Sequence, residues 1–188
     1  MLCAAFFCAI TPWIQAQNIS AKMALCAACH GADGNAPLPG VPSLAGQPKT
    51  FIENQLVMIR EGMRNIPVMQ GMLKAFSDED ITAMAVHYAA LPLKKPGAER
   101  QAALFALGEL KSQEMRCGIC HLPNYMGRDQ IPRLAGQRED YLLHSMQQFK
   151  SNQAVGRDTI MAASLYGVSD GDIKAMAHYL SRLSPNAP

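Results

Sequence analysis

Two five-residue stretches, Cys26-Ala27-Ala28-Cys29-His30 and Cys117-Gly118-Ile119-Cys120-His121, hold the residue types best suited to chemistry in this chain. Two thiols three positions apart can each add across one vinyl group of a single haem. The histidine that follows then lies under the porphyrin, where an imidazole nitrogen can bind the iron. The order matters, because the two thioethers fix the ring and so set the iron over that histidine. A thioredoxin-type dithiol uses the same cysteine spacing, but it follows a strand in a βαβ pattern, and no strand pattern is found here. A zinc site made from both cysteine pairs leaves the two adjacent histidines without a role and joins pairs far apart in sequence. The spacing therefore predicts two covalently bound haem c groups, attached through Cys26, Cys29, Cys117 and Cys120, with His30 and His121 as iron ligands.

An iron with histidine on one side only is open to small ligands, and a second protein ligand closes it. Met69 stands eight residues before Ser77, and Met161 eight before Ser169. A thioether is a soft ligand that favours ferrous iron and raises the potential relative to a second histidine. Twelve methionines are present, so core filling is the competing role; it is assigned to Met58, Met84, Met115, Met146 and Met176, which fall on helical apolar faces. Met72 breaks the register, its counterpart being Ser164, and is assigned to packing against the haem or the core. Met69 and Met161 are the expected sixth ligands, each in a loop. His87, His144 and His178 lack matching partners and are expected to be satisfied or at the surface. Arg64 and Arg157, shortly before the methionines, are placed either against haem propionates or in solvent.

These residues sit at corresponding places in a tandem repeat. Cys26 and Cys117 are 91 positions apart, as are His30 and His121. Leu44-Ala45-Gly46-Gln47 returns as Leu134-Ala135-Gly136-Gln137 after 90, and Ser77-Asp78-Glu79-Asp80-Ile81 as Ser169-Asp170-Gly171-Asp172-Ile173 after 92. A repeat that carries its own cofactor is a domain rather than a solenoid unit. Each block reads as helical, so the expected fold class is all-α. A Gly- and Pro-rich loop, 31–47 in the first copy, follows the motif. Next comes an amphipathic helix, with Phe51, Leu56 and Ile59 on one face of the first copy and Tyr141, Leu142, Met146 and Phe149 in the second. The last helix starts at Ser77 or Ser169, with Asp80 or Asp172 at the third helical position, and ends at Pro92 or Pro185. A helix over 98–112 opens the second block, against a stub over 18–25 in the first.

The apolar run from Met1 to about Ala16 ends in small residues and reads as a signal peptide, although no Lys or Arg precedes it. Cys3 and Cys8 are lost with it. The expected organisation is a leader over 1–19, an N-terminal haem domain over 20–92, a short stiff linker over 93–97 and a C-terminal haem domain over 98–188. Lys and Arg number 17 against 15 Asp and Glu, and four haem propionates make the holoprotein less basic still. The basic residues are scattered, so no nucleic-acid partner is expected.

With its Cys-x-x-Cys-His pairs, Pro-x-Leu-Ala-Gly-Gln segments, methionine positions and Ser-Asp-x-Asp helices, the chain from about residue 20 onward resembles the dihaem class I cytochromes c of the cytochrome c4 family. The resemblance implies two tandem cytochrome c-like domains. It also implies that the backbone carbonyls of Pro42 and Pro132 accept from the axial histidine rings. Leu122-Pro123-Asn124-Tyr125-Met126 departs from the small, Gly-rich start that follows His30. Two irons closed by protein ligands imply an electron carrier rather than an enzyme. Export through the leader places it in the periplasm, with peripheral membrane association left open. By analogy, the partners are a quinol-oxidising complex or a dehydrogenase as donor and a terminal oxidase as acceptor. The alternatives are a dihaem enzyme of the peroxidase or thiosulfate dehydrogenase type, and a fixed haem subunit of a dehydrogenase or oxidase complex.

Overall fold

The computed structural model describes residues 13–94 and 99–184. Most of the expected leader and residues 95–97 of the expected linker lie outside the described residues. The described chain is all-α: α1 (Trp13–His30), α2 (Lys49–Arg60), α3 (Pro67–Leu73), α4 (Asp78–Ala90), α5 (Ala102–Glu114), α6 (Gly118–His121), α7 (Glu139–Lys150), α8 (Thr159–Leu165) and α9 (Asp170–Arg182). No strand is formed among the described residues, only an isolated bridge between Arg128 and Ile131.

Two apolar clusters form, one per copy. Ile52, Leu56 and Ile59 of α2 meet Ile81, Met84, Ala85 and Tyr88 of α4 in the first. In the second, Leu142 and Met146 of α7 meet Ile173, Met176, Ala177 and Leu180 of α9. In α2 the buried position is Ile52 rather than the expected Phe51, which is half-buried. The capping expectation holds at Ser77, whose hydroxyl accepts from the Asp80 amide at 3.2 Å while its own amide donates to the Asp80 carboxylate at 2.9 Å. Ser169 accepts from the Asp172 amide at 3.0 Å. Each cap satisfies an orphan amide and fixes where the last helix begins.

The helices leading into the two motifs differ from expectation. In place of a stub over 18–25, α1 runs unbroken through the first motif to His30. The second copy breaks: α5 ends at Glu114, Arg116 takes a left-handed conformation at φ +56°, and α6 restarts at Gly118. The start of α5 at Ala102, later than the expected 98, follows from a backbone bond from Gln101 N–H to His178 Nε2 at 3.2 Å, which holds Gln101 as the cap. Gly108 lets α5 cross α9 closely: a Cβ there would lie 2.1 Å from the Ala175 carbonyl oxygen, inside any tolerable contact.

The divergent turn in the second copy keeps the backbone of the first. Gly31 (φ +82°) and Gly34 (φ +70°) are matched by Leu122 (φ +70°) and Tyr125 (φ +57°). The Gly34 carbonyl accepts from the amides of Leu44 and Ala45, and the Tyr125 carbonyl accepts from those of Leu134 and Ala135. Two side-chain-bearing residues thus hold a conformation that costs each of them roughly 1 kcal/mol or more. The Tyr125 hydroxyl offsets this by bonding the buried Ser112 hydroxyl at 3.0 Å while its ring packs edge-on to Tyr179.

Candidate haem sites

In each copy the structure brings the motif, a proline carbonyl and a methionine-bearing helix onto one core. His30, at the end of α1, is buried, and its Nδ1 lies 2.9 Å from the Pro42 carbonyl oxygen. His121, at the end of α6, is buried with Nδ1 2.8 Å from the Pro132 carbonyl oxygen. A carbonyl can only accept, so Nδ1 carries the proton and Nε2 keeps its lone pair. Burial pushes both rings below the ordinary histidine range, opposed by the proline bond. A neutral, oriented ring with a free nitrogen is what an iron requires. The carbonyl role implied for Pro42 and Pro132 is therefore present in both copies.

Cys26 and Cys117 pack against the first and second cores respectively, and so do Met69 and Met161. The methionines lie in short helices, not in the loops expected. Met69 is the third residue of α3 and Met161 the third of α8, each helix being seven residues long. Pro67 pre-sets the first turn of α3, and the Asp158 carboxylate accepts from the Ile160 amide at 2.7 Å to start α8. Met72, expected to pack against the haem or the core, is 39% exposed and takes no part in the core. Met84, Met146 and Met176 are buried core residues as expected.

The other cysteine chemistries do not fit. Burial raises the Cys26 and Cys117 thiols, opposite to the lowered value of a redox-active dithiol. Among the described residues no group of three or more His, Cys, Asp or Glu side chains gathers to hold a metal ion. His178 is buried and satisfied, with Nε2 accepting from Gln101 and Nδ1 3.2 Å from the Glu139 carboxylate; His87 and His144 are exposed.

Where the two copies meet, Arg138 pairs with the Asp140 carboxylate at 2.9 Å, whereas three other arginines donate to neutral groups. Arg64 donates to Gln55 at 2.5 Å and reaches the Tyr141 hydroxyl at 3.4 Å; Arg157 donates to Ser145 at 2.7 Å and Gln148 at 3.0 Å. Burial, then the neighbouring Arg64, pushes Arg157 down to about 10. Arg133 is 1% exposed, and burial pushes it to about 10. Its guanidinium donates to the Ala135 carbonyl and, at 3.0 Å, to that of Ala45, while Nε is buried without a partner. A buried cation is costly unless an anion accompanies it. Haem brings two propionates with each ring, so this donor set, with the thiols and free imidazole nitrogens, fits two haems. Arg133 escaped the sequence reading, its counterpart in the first copy being Ser43.

An all-α chain with two such sites is a dihaem c-type cytochrome. The model of the family described as "Cytochrome C oxidase, cbb3-type, subunit III" matches residues 15–87. Cytochrome c4 of Pseudomonas aeruginosa is 33% identical, over 87% of this chain and 86% of that protein. A thiosulfate dehydrogenase electron acceptor of Thiomonas intermedia is 33% identical, over 97% of this chain and 88% of that one. The crystal structure of reduced cytochrome c4 from Pseudomonas stutzeri superposes with a TM-score of 0.80 at 32% identity, covering 90% of this chain and 98% of the other. The chain belongs to the cytochrome c4 family. It binds two covalent haem c groups, each of which supplies a one-electron ferric/ferrous couple, and it transfers electrons between redox partner proteins.

Proposed function

We propose that the protein is a periplasmic electron carrier and not an enzyme, with one iron held between His30 and Met69 and the other between His121 and Met161. The observation that carries this reading is the matched pair of sites. In each, a buried histidine is locked by a proline carbonyl and a methionine stands at the third position of a seven-residue helix on the same core. Haem irons closed by these four side chains would leave no position for substrate and would supply one-electron transfer alone. Residues 1–19 are a signal peptide, 20–92 and 98–188 the two haem domains, and 93–97 their linker. Among the described residues no helix is long and apolar enough to cross a membrane. Donors are a quinol-oxidising complex or a dehydrogenase, and the acceptor is a terminal oxidase. The relative described as a thiosulfate dehydrogenase electron acceptor supports the dehydrogenase as a donor.

The test is an absorption spectrum of the ferrous holoprotein with and without carbon monoxide. No adduct is expected at either iron. Stoichiometric binding at one iron would show an open site and replace the carrier reading with a dihaem enzyme.

A further inference from the structure

The segments that hold the axial histidines are themselves held from the opposite copy, and by a side chain of the same type each time. Gln137 accepts from the Ser43 amide through Oε1 at 2.8 Å and donates to the Ser43 carbonyl through Nε2 at 2.9 Å. Gln47 does the same to Arg133, accepting from its amide at 2.9 Å and donating to its carbonyl at 3.0 Å. Gln47 and Gln137 are 90 positions apart, as are Ser43 and Arg133, so the two clamps are related by the internal repeat. All four residues are buried, with Gln47 and Gln137 4% and 3% exposed.

The clamped amides are not arbitrary ones. The Ser43 N–H belongs to the peptide group whose oxygen is the Pro42 carbonyl, the acceptor of the His30 ring proton. The Arg133 N–H belongs to the peptide group of the Pro132 carbonyl, the acceptor of the His121 ring proton. Each chain therefore runs from imidazole Nδ1–H to a peptide oxygen, through the peptide, and from its N–H to a glutamine oxygen of the other copy. Hydrogen bonds in series polarise one another. An acceptor on the N–H side shifts peptide π-density onto oxygen, so the carbonyl pulls harder on the ring proton. A ring with more imidazolate character is a more basic ligand and stabilises ferric over ferrous iron.

We infer that Gln47 and Gln137 are crossed positioning residues: each tunes, through a shared peptide group, the axial histidine of the haem in the opposite copy. The inference rests on the proposal that His30 and His121 are iron ligands. Opening the interface at one clamp would then change the potential of the haem across it.

Spectroelectrochemical titration of the holoprotein tests this, with each haem followed separately by the NMR methyl signal of its axial methionine. Gln137→Met is expected to raise the potential of the haem on Cys26 and Cys29, by about a two- to threefold shift in ferrous-to-ferric ratio at fixed ambient potential. It should also move the His30 Nδ1–H resonance of the ferrous protein upfield. Gln47→Met should do the same to the haem on Cys117 and Cys120. Gln137→Glu, which keeps an acceptor of greater charge, should lower the first potential and serves if the Met variant fails to fold. Tyr141→Phe removes a different bond between the copies, Arg64 to the Tyr141 hydroxyl at 3.4 Å, and should leave the His30 resonance in place. Shifts confined to the haem of the substituted copy, equal at both haems, absent, or reproduced by Tyr141→Phe would overturn the inference. An unmutated holoprotein lacking histidine-ligated haems would instead sink the reading on which it rests.

Discussion

At the scale of single residues, the two sites differ in chemistry from ordinary core positions by what is left free on each side chain. The His30 ring spends Nδ1 on the Pro42 carbonyl and keeps Nε2; buried His178 spends both nitrogens within the protein and so has nothing to offer a metal. Among the methionines, burial alone does not pick out a ligand, since Met84 and Met176 are the most enclosed and belong to the cores. Position does: Met69 and Met161 share a helix register that Met72 lacks. Met69→Ala is therefore expected to abolish the far-red methionine-to-iron band of one haem, lower its potential and let carbon monoxide bind it. Met161→Ala should act likewise on the other haem, and Met72→Ala on neither. Spectra of the three variants with and without carbon monoxide check the assignment.

At the scale of elements, the last helix of each copy is placed by its first turn. Ser77 and Asp80 satisfy each other's amides, and Asp80 also pairs with Lys22 of α1, so one turn ties the motif-bearing helix to the helix beneath it. Ser77→Ala is expected to cost roughly 1 kcal/mol, read from the denaturation midpoint of the holoprotein. The hydrogen bond from Lys22, with smaller help from Ser77, holds the Asp80 carboxyl below the ordinary carboxylate range. A carboxyl with a depressed folded value contributes stability that is fully present above its unfolded value, about pH 4. That contribution is lost as the pH falls through the folded value. Denaturation of the wild type against Asp80→Asn, at neutral pH and near pH 3, should show a stability gap that closes on acidification; a constant gap would rule out this linkage.

At the scale of the whole molecule, the two copies meet through backbone as much as through side chains. Gly156 approaches Met63 so closely that a Cβ on it would stand 1.9 Å from the Met63 carbonyl oxygen, and its φ of +74° disfavours any side chain besides. Arg138 adds a bond to the Ala36 carbonyl at 3.0 Å. Gly156→Ala is expected to push the copies apart while leaving each core intact. Small-angle scattering should show a larger radius of gyration, and thermal unfolding should split into two steps where the parent unfolds in one. An unchanged profile would mean that the interface does not depend on this approach.

The haem-attachment chemistry was legible in the sequence because it depends on short spacings: two thiols three apart with a histidine beside them can serve one cofactor whatever surrounds them. The duplication, the helical character and the Ser77 and Ser169 caps were legible for the same reason, each being a local pattern repeated at a nearly constant offset. Three features required the tertiary structure. Tyr125 holds the positive-φ position of Gly34 against its own local preference because its carbonyl accepts from the Leu134 and Ala135 amides and its hydroxyl bonds that of Ser112. The start of α5 is set by His178, 77 positions away. The pairing of Gln47 with Arg133 and of Gln137 with Ser43 spans 86 and 94 positions. The glutamine bonds form only once both copies have folded and docked, since no local periodicity encodes which peptide a distant amide side chain will meet.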